Sequence, residues 1–230
     1  MTKNAIAEDK VSTLNKQPNP GSFPGFNSSD FDVFAIPGLE ARMEALIAGI
    51  RPKLEQLGNR LSPELTILSG TEFYPHVAKH ARRTVNPPKD TWVAFSPNKR
   101  GYKAHPHFQI GMWGTHAFIQ FAVIYEADGK AEFAARALDK LDEIRSLVPQ
   151  GAGYMWSGDH MQPGAVPHDE MSRDELVTLF ERLRTVKAAE LLCGIHLDRN
   201  DPLLLDGEAF VAKVESVFQT LMPLYQLAAR

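Results

Sequence analysis

The chain has 230 residues, 43% of them hydrophobic and 23% charged, with a formal net charge of −3. That length and balance suit one sizeable domain with an ordinary buried core, and they weigh against a protein that grips nucleic acid or anionic membrane through global positive charge. Cys193 is the single cysteine, which excludes an internal disulfide and a thiolate metal cluster.

Residues 1–29 are polar, and "KQPNPGSFPGFNSS" is rich in Pro, Gly, Ser and Asn, so this segment reads as a flexible tail ahead of a single domain over 30–230. No apolar run approaches a membrane span, and the N-terminus lacks a basic-then-apolar leader pattern, so the expectation is a soluble, cytoplasmic protein. Order begins at "DFDVFAI". Leu39, Met43, Leu46, Ile50, Leu54 and Leu57 then recur at helical spacing, with Pro52 predicting a kink or two successive helices. "PHVAKHARR" reads as a short helix with Pro75 at its first position. "DTWVAF" and "HPHFQIGMW" read as strands flanking the loop "SPNKRGYK", and "THAFIQFAVIYE" as a third strand after a tight turn. A helix follows from about Lys130 to Val148, then a strand in "GAGYMW". Ser172 and Glu175 have the spacing of a capping box opening the next helix. "AELLCGIHL" is a further strand, and Phe210, Val214, Phe218 and Leu221 mark a final amphipathic helix. Hairpin strands with helices before, between and after them predict an α+β fold with a mostly antiparallel sheet.

The segments "DFDVF", "IPGLEARM", "PHVAKHARR", "NPPKDTWVAF", "KRGYKAHPHFQIG" and "THAFIQFAVIYE" resemble the YktB-like family of uncharacterised bacterial proteins, from about residue 30 to the C-terminus. The resemblance implies a soluble bacterial protein with a compact α+β fold. It implies no reaction, cofactor or catalytic residue, so the function has to be read from the residues themselves.

The hairpin after Trp113 can be registered from sequence. If Gly114 and Thr115 form a two-residue type II′ turn, paired residue numbers sum to a constant and Gln109 lies opposite Gln120. One face then carries Phe108, Ile110 and Met112 against Phe121, Ile119 and Ala117, which is core. The other carries His105, His107, Gln109 and Trp113 opposite Ile124, Ala122, Gln120 and His116. Such a polar face is either the solvated side of an antiparallel sheet or a ligand platform of amides, imidazoles and flat aromatic surface.

Positive charge gathers around this hairpin. Residues 73–111 hold seven lysines and arginines and one acid, Asp90. On a helix, His76, Lys79, His80 and Arg83 would share a stripe, while Lys99, Arg100 and Lys103 crowd the loop opening the hairpin. Arginine forks suit phosphate or carboxylate, so His76, His80, Arg83, Lys99, Arg100, Lys103, His105 and His107, with Gln109 and Gln120, are the candidate contacts for a small anionic ligand. The plain alternative is that these charges solvate a loop or pair with acids elsewhere.

Two further functions stay open. His76, His80, His105 and His107 could supply nitrogen ligands to a metal-dependent hydrolase, although the H-E-x-x-H motif is absent. The basic patch could instead dock an acidic partner. No nucleic-acid signature is present, although Tyr102, Trp92 and Trp113 could stack on bases. A second run, "DHMQPGAVPHDE", holds Asp159, His160, His168, Asp169 and Glu170 at spacings that match no defined site. Cys193 shares a strand face with Leu191, Ile195 and Leu197 and reads as core rather than nucleophile. No P-loop, nucleophile elbow or dinucleotide-binding glycine pattern occurs.

Overall fold

A computed structural model describes residues 22–230. The hydrophobic spacing from Leu39 onward forms one long helical stretch in two parts. After a short α1 (Ser28–Asp32), α2 (Leu39–Ala45) passes through a π-turn at Leu46–Ile50 into α3 (Arg51–Ser69). Pro52 explains the interruption: it has no N–H to offer the preceding turn, and the wider π-turn lets the chain continue without a break. Leu46, Ile50, Leu54, Leu57, Leu61 and Leu65 keep one buried face throughout. Gly70 ends α3 in the left-handed conformation, with φ 73°, a position where a side chain would be strained.

The strands are β1 (Tyr74–Val77), β2 (Asp90–Ser96), β3 (His107–Trp113), β4 (His116–Val123), β5 (Tyr154–Ser157), β6 (Val166–Pro167) and β7 (Leu191–Asp198). Among the described residues they form a seven-stranded sheet in the order β1-β2-β3-β4-β7-β5-β6, with every neighbouring pair antiparallel. The remaining helices are α4 (Lys130–Asp139), α5 (Leu141–Leu147), α6 (Arg173–Thr185) and α7 (Gly207–Ala228). The single helix expected over 130–148 is thus two, separated at Lys140, whose φ of −114° leaves the helical region. The Ser172–Glu175 capping box is present.

The helices pack on one face of the sheet. Phe108 packs at a tilt against Phe218 and Tyr225 of α7, Phe121 meets Phe133 of α4 edge-on, and Phe133 in turn meets Phe180 of α6 edge-on. Each fully buried side chain of this size contributes about 1.5–3 kcal/mol relative to exposure. Cys193, Tyr154 and Trp156 lie in this core, as their strand positions require.

The hairpin register follows the sequence prediction, with Gln109 opposite Gln120 and Phe108 opposite Phe121. The turn does not. Gly114 is absent from the residues with positive φ, so the turn is not type II′. Phe34 packs closely over this turn, so that a Cβ added at Gly114 would meet the Cβ of Phe34 in a tight contact at 3.2 Å.

Two other expectations are corrected. Of the tail expected over 1–29, residues 1–21 lie outside the described residues, and in the remainder Phe23 and Phe26 are buried against each other and Phe210. The helix expected in "PHVAKHARR" is absent: residues 74–77 form β1, and the chain turns at His80, whose φ is +51°. Pro75 signals an edge strand here rather than a helix start. It packs into Gly58 of α3, where an added Cβ would come within 2.8 Å of its own Cβ, and β1 lies at the sheet's edge, where a missing donor is tolerated.

Candidate functional site

The polar face predicted for the β3–β4 hairpin extends across the sheet, and it is not solvated. His107 is 0% exposed, Gln109 4% and Gln120 8%. The loop between β2 and β3 closes over one end, where the Tyr102 ring meets His107 edge-on at 4.8 Å and its hydroxyl accepts from Trp92 Nε1 at 3.1 Å. Ser157 at the end of β5 and Asp159, His160, Gln162 and Gly164 between β5 and β6 close the other end above Gln109, Gln120 and Trp113.

Burying polar side chains this deeply costs free energy unless their hydrogen bonds are made, and here they run in series. Gln120 Nε2 donates to Gln109 Oε1 at 2.9 Å. Gln109 Nε2 lies 2.9 Å from His107 Nε2, and His107 Nδ1 lies 2.8 Å from the His105 carbonyl. A carbonyl can only accept, so His107 carries its proton on Nδ1 and its Nε2 accepts from the amide. Burial pushes its pKa down to about 4, which keeps the ring neutral.

The other predicted contacts are more scattered. His76 Nε2 binds the Asn98 carbonyl at 2.9 Å, and His105 Nε2 meets Asn98 Nδ2 at 3.0 Å. His80 Nε2 lies 3.2 Å from Thr91 Oγ1, with its ring edge-on to Trp92. Among the described residues, these histidines do not join His107 in a metal-ligating group, which corrects the four-histidine metal reading. The i, i+4 spacing had meaning only on a helix, and that segment is a strand followed by a loop. Lys103 is neutralised by Glu126 at 3.0 Å. Lys99 and Arg100 are exposed, with Lys99 over the Tyr74 ring. Arg83 is half-buried, and its charge acts on both His80 and Asp90.

Between the two loops lies a small cavity of about 20 Å³, room for roughly one water or one ion. Gln109 and Gln120 reach it, together with Asp90, Trp92, Asp159, His160 and His196. Asp90 is 5% exposed. Burial raises its pKa to about 6, against the lowering influence of Arg83 and His160. Glu190 sits behind the cavity at 4% exposure, accepting from His160 Nδ1 at 2.7 Å, the His160 backbone N–H at 2.8 Å and the Tyr125 backbone N–H at 3.2 Å. Burial works against a charged imidazole at His160, but the hydrogen bond and charge of Glu190 outweigh it and raise its pKa. His196 stacks on His116 at 4.3 Å, and burial lowers its pKa to about 4.

Sequence reasoning did not assign Asp90, His160 or Glu190 to a site. Glu190 is thirty residues from His160 and joins it only because β5 and β7 are neighbours in the sheet. The available signal was the acidic and imidazole pair Asp159–His160, which has no partner within a short motif.

The sequence pattern described as "Domain of unknown function (DUF1054)" matches residues 26–225. A UPF0637 protein of Bacillus mycoides is 50% identical over 205 residues, covering 89% of this chain and 98% of the relative. One from Bacillus velezensis is 49% identical over 205 residues, covering 89% of this chain and 97% of the relative. The resemblance read from the motifs is consistent with these matches.

Proposed function

Because the chain belongs to the DUF1054 family, we propose a function from its own geometry: it binds a small ligand bearing a phosphate or carboxylate group over the loop-covered face of the sheet. The observation that supports this is the buried relay from His107 through Gln109 to Gln120, which ends at the cavity wall. A buried amide fixed by such a chain presents its remaining hydrogen-bonding capacity in one orientation, as binding sites require. The cavity itself holds Asp90 and Asp159, which repel an anion, so the anionic group sits at the rim. The charge of Arg83 acts on Asp90 in the cavity wall, and Lys99 and Arg100 lie on the loop that closes over the same face. With the 157–165 segment placed as it is, the 20 Å³ space admits no metabolite, so a larger ligand requires that segment to lift.

The test is native mass spectrometry of untagged protein prepared without phosphate, followed by titration with inorganic phosphate and small dicarboxylates. Binding should be lost in the Arg83→Ser/Arg100→Ser double variant and weakened in Gln120→Leu, with melting unchanged in the double variant. Equal affinity in wild type and double variant would remove the reading. The exposed Lys99 and Arg100, neither in an ion pair among the described residues, favour the second reading, an acidic docking partner. Retention of an acidic protein, but not of phosphate, through these two residues would select it.

A further inference from the structure

We propose that the groove between α3 and the edge strand β1 is a separate binding site for a phosphorylated sugar or polyol. Arg51 and Lys79 hold the phosphate, and Glu55 and Asn59 meet the hydroxyl groups. The groove has a volume of about 410 Å³ and is lined by these four side chains with Pro75 and Val77. It lies on the helix-covered side of the sheet, so it does not rest on the ligand reading above.

Both walls follow from local periodicity. Arg51, Glu55 and Asn59 recur every fourth residue and form one stripe along α3. Pro75 of β1 pairs with Phe95 and shares its face, which is the core face of the sheet, and Val77 lies on the same side. Lys79 continues the alternation, because the Ala78 N–H still bonds the Trp92 carbonyl at 2.9 Å. Gly58, having no side chain, lets Pro75 close one end of the groove. At the other end the charge of Arg51 reaches His80, the neighbour of Lys79. The two elements thus run antiparallel, with Asn59 at the Pro75 end and Arg51 at the Lys79 end.

The charges in this groove are unspent. The side chains of Arg51, Lys79 and Glu55 take part in no ion pair among the described residues, although all three line the one space. Two cations on one groove repel each other, and an anion between them relieves that repulsion. A guanidinium offers paired N–H groups to phosphate oxygens, and an ammonium adds a point charge. Glu55 repels a bare phosphate, but it accepts hydrogen bonds from hydroxyl groups, and Asn59 both donates and accepts. The carboxylate therefore selects a ligand whose anionic end is tethered to hydroxyls. Pro75 and Val77 supply an apolar wall for the carbon skeleton. No aromatic side chain is among the lining residues, so a nucleobase would find nothing to stack on. The volume is of the size usual for small-molecule pockets.

The test is isothermal titration calorimetry with ribose 5-phosphate, using inorganic phosphate and ribose as controls. It is run on the wild type and on the Arg83→Ser/Arg100→Ser double variant, which removes the cations of the other face. Ribose 5-phosphate should bind the double variant, more tightly than inorganic phosphate does, and ribose should not bind. In that background Arg51→Ala and Lys79→Ala should each weaken binding by about tenfold or more. Melting should not change, because neither side chain has an ionic partner to lose. Glu55→Gln should strengthen inorganic phosphate and erase the preference for the sugar ester. No saturable binding to the double variant, undiminished affinity after both Arg51→Ala and Lys79→Ala, or equal affinity for inorganic phosphate would each overturn the site. Since the double variant already lacks the rim cations, these outcomes are separate from that of the phosphate titration above.

Discussion

Gln120 and Gln109 face each other across β4 and β3, and the amide of one donates to the carbonyl of the other at 2.9 Å in a face that water barely reaches. The pair makes the His107 ring and the cavity wall parts of one hydrogen-bonded chain, so a change at either glutamine is felt at both ends.

Gln109→Leu therefore leaves His107 Nε2 and a Gln120 N–H without partners. The expected loss is about 1–3 kcal/mol in urea unfolding. Adding Gln120→Leu should cost less than the sum of the single changes, because it removes one of the orphaned groups. Additive losses would show that the relay is not coupled.

Stability should depend on acid through His107. An unfolded histidine titrates near 6.5, while His107 in the fold is held at about 4 by burial. Between those values the unfolded chain binds a proton that the folded chain does not. Stability therefore holds above about pH 6.5 and falls as pH drops towards 4, by up to roughly 3 kcal/mol from this group. His107→Gln should flatten that slope in denaturant melts at stepped pH.

Gly207 opens α7 against the backbone of the first described segment. A Cβ there would lie 1.7 Å from the Phe23 carbonyl oxygen, a contact only a backbone shift can relieve. Gly207→Ala should destabilise by about 2 kcal/mol or more and expose residues 22–26 to proteolysis. Proteolysis at the wild-type rate would mean that Phe23 does not need this fit.

Cys193 is fully buried, and burial raises its thiol pKa well above the ordinary value. A disulfide reagent should leave it unmodified in the native protein and label it fully in denaturant. Native labelling at comparable rate would show local opening of β7.

The sheet was readable because its alternation is strict. Phe108, Ile110 and Met112 against Ala117, Ile119 and Phe121 leave one register that buries them all, and that register set Gln109 against Gln120. The "PHVAKHARR" segment misled because Pro75 suits both a helix start and an edge strand. Only packing into Gly58 decides between them, and Gly58 lies on another element. Phe23 and Phe26 were hidden by the Pro, Gly and Ser around them, though two phenylalanines in a polar stretch were themselves a sign of anchoring. The cavity was least legible. Asp90, His160 and Glu190 come from three distant segments, and their meeting follows from strand order, which local pattern does not specify.

Both outer strands of the sheet contain a proline, Pro75 in β1 and Pro167 in β6, and β6 is only two residues long. Each border thus lacks a backbone donor that an incoming chain would need to zip on as an eighth strand. The hydrogen-bonded lattice is terminated on both sides by covalent chemistry rather than by charge. Polymerisation through its margins would first require one of these imino acids to be replaced.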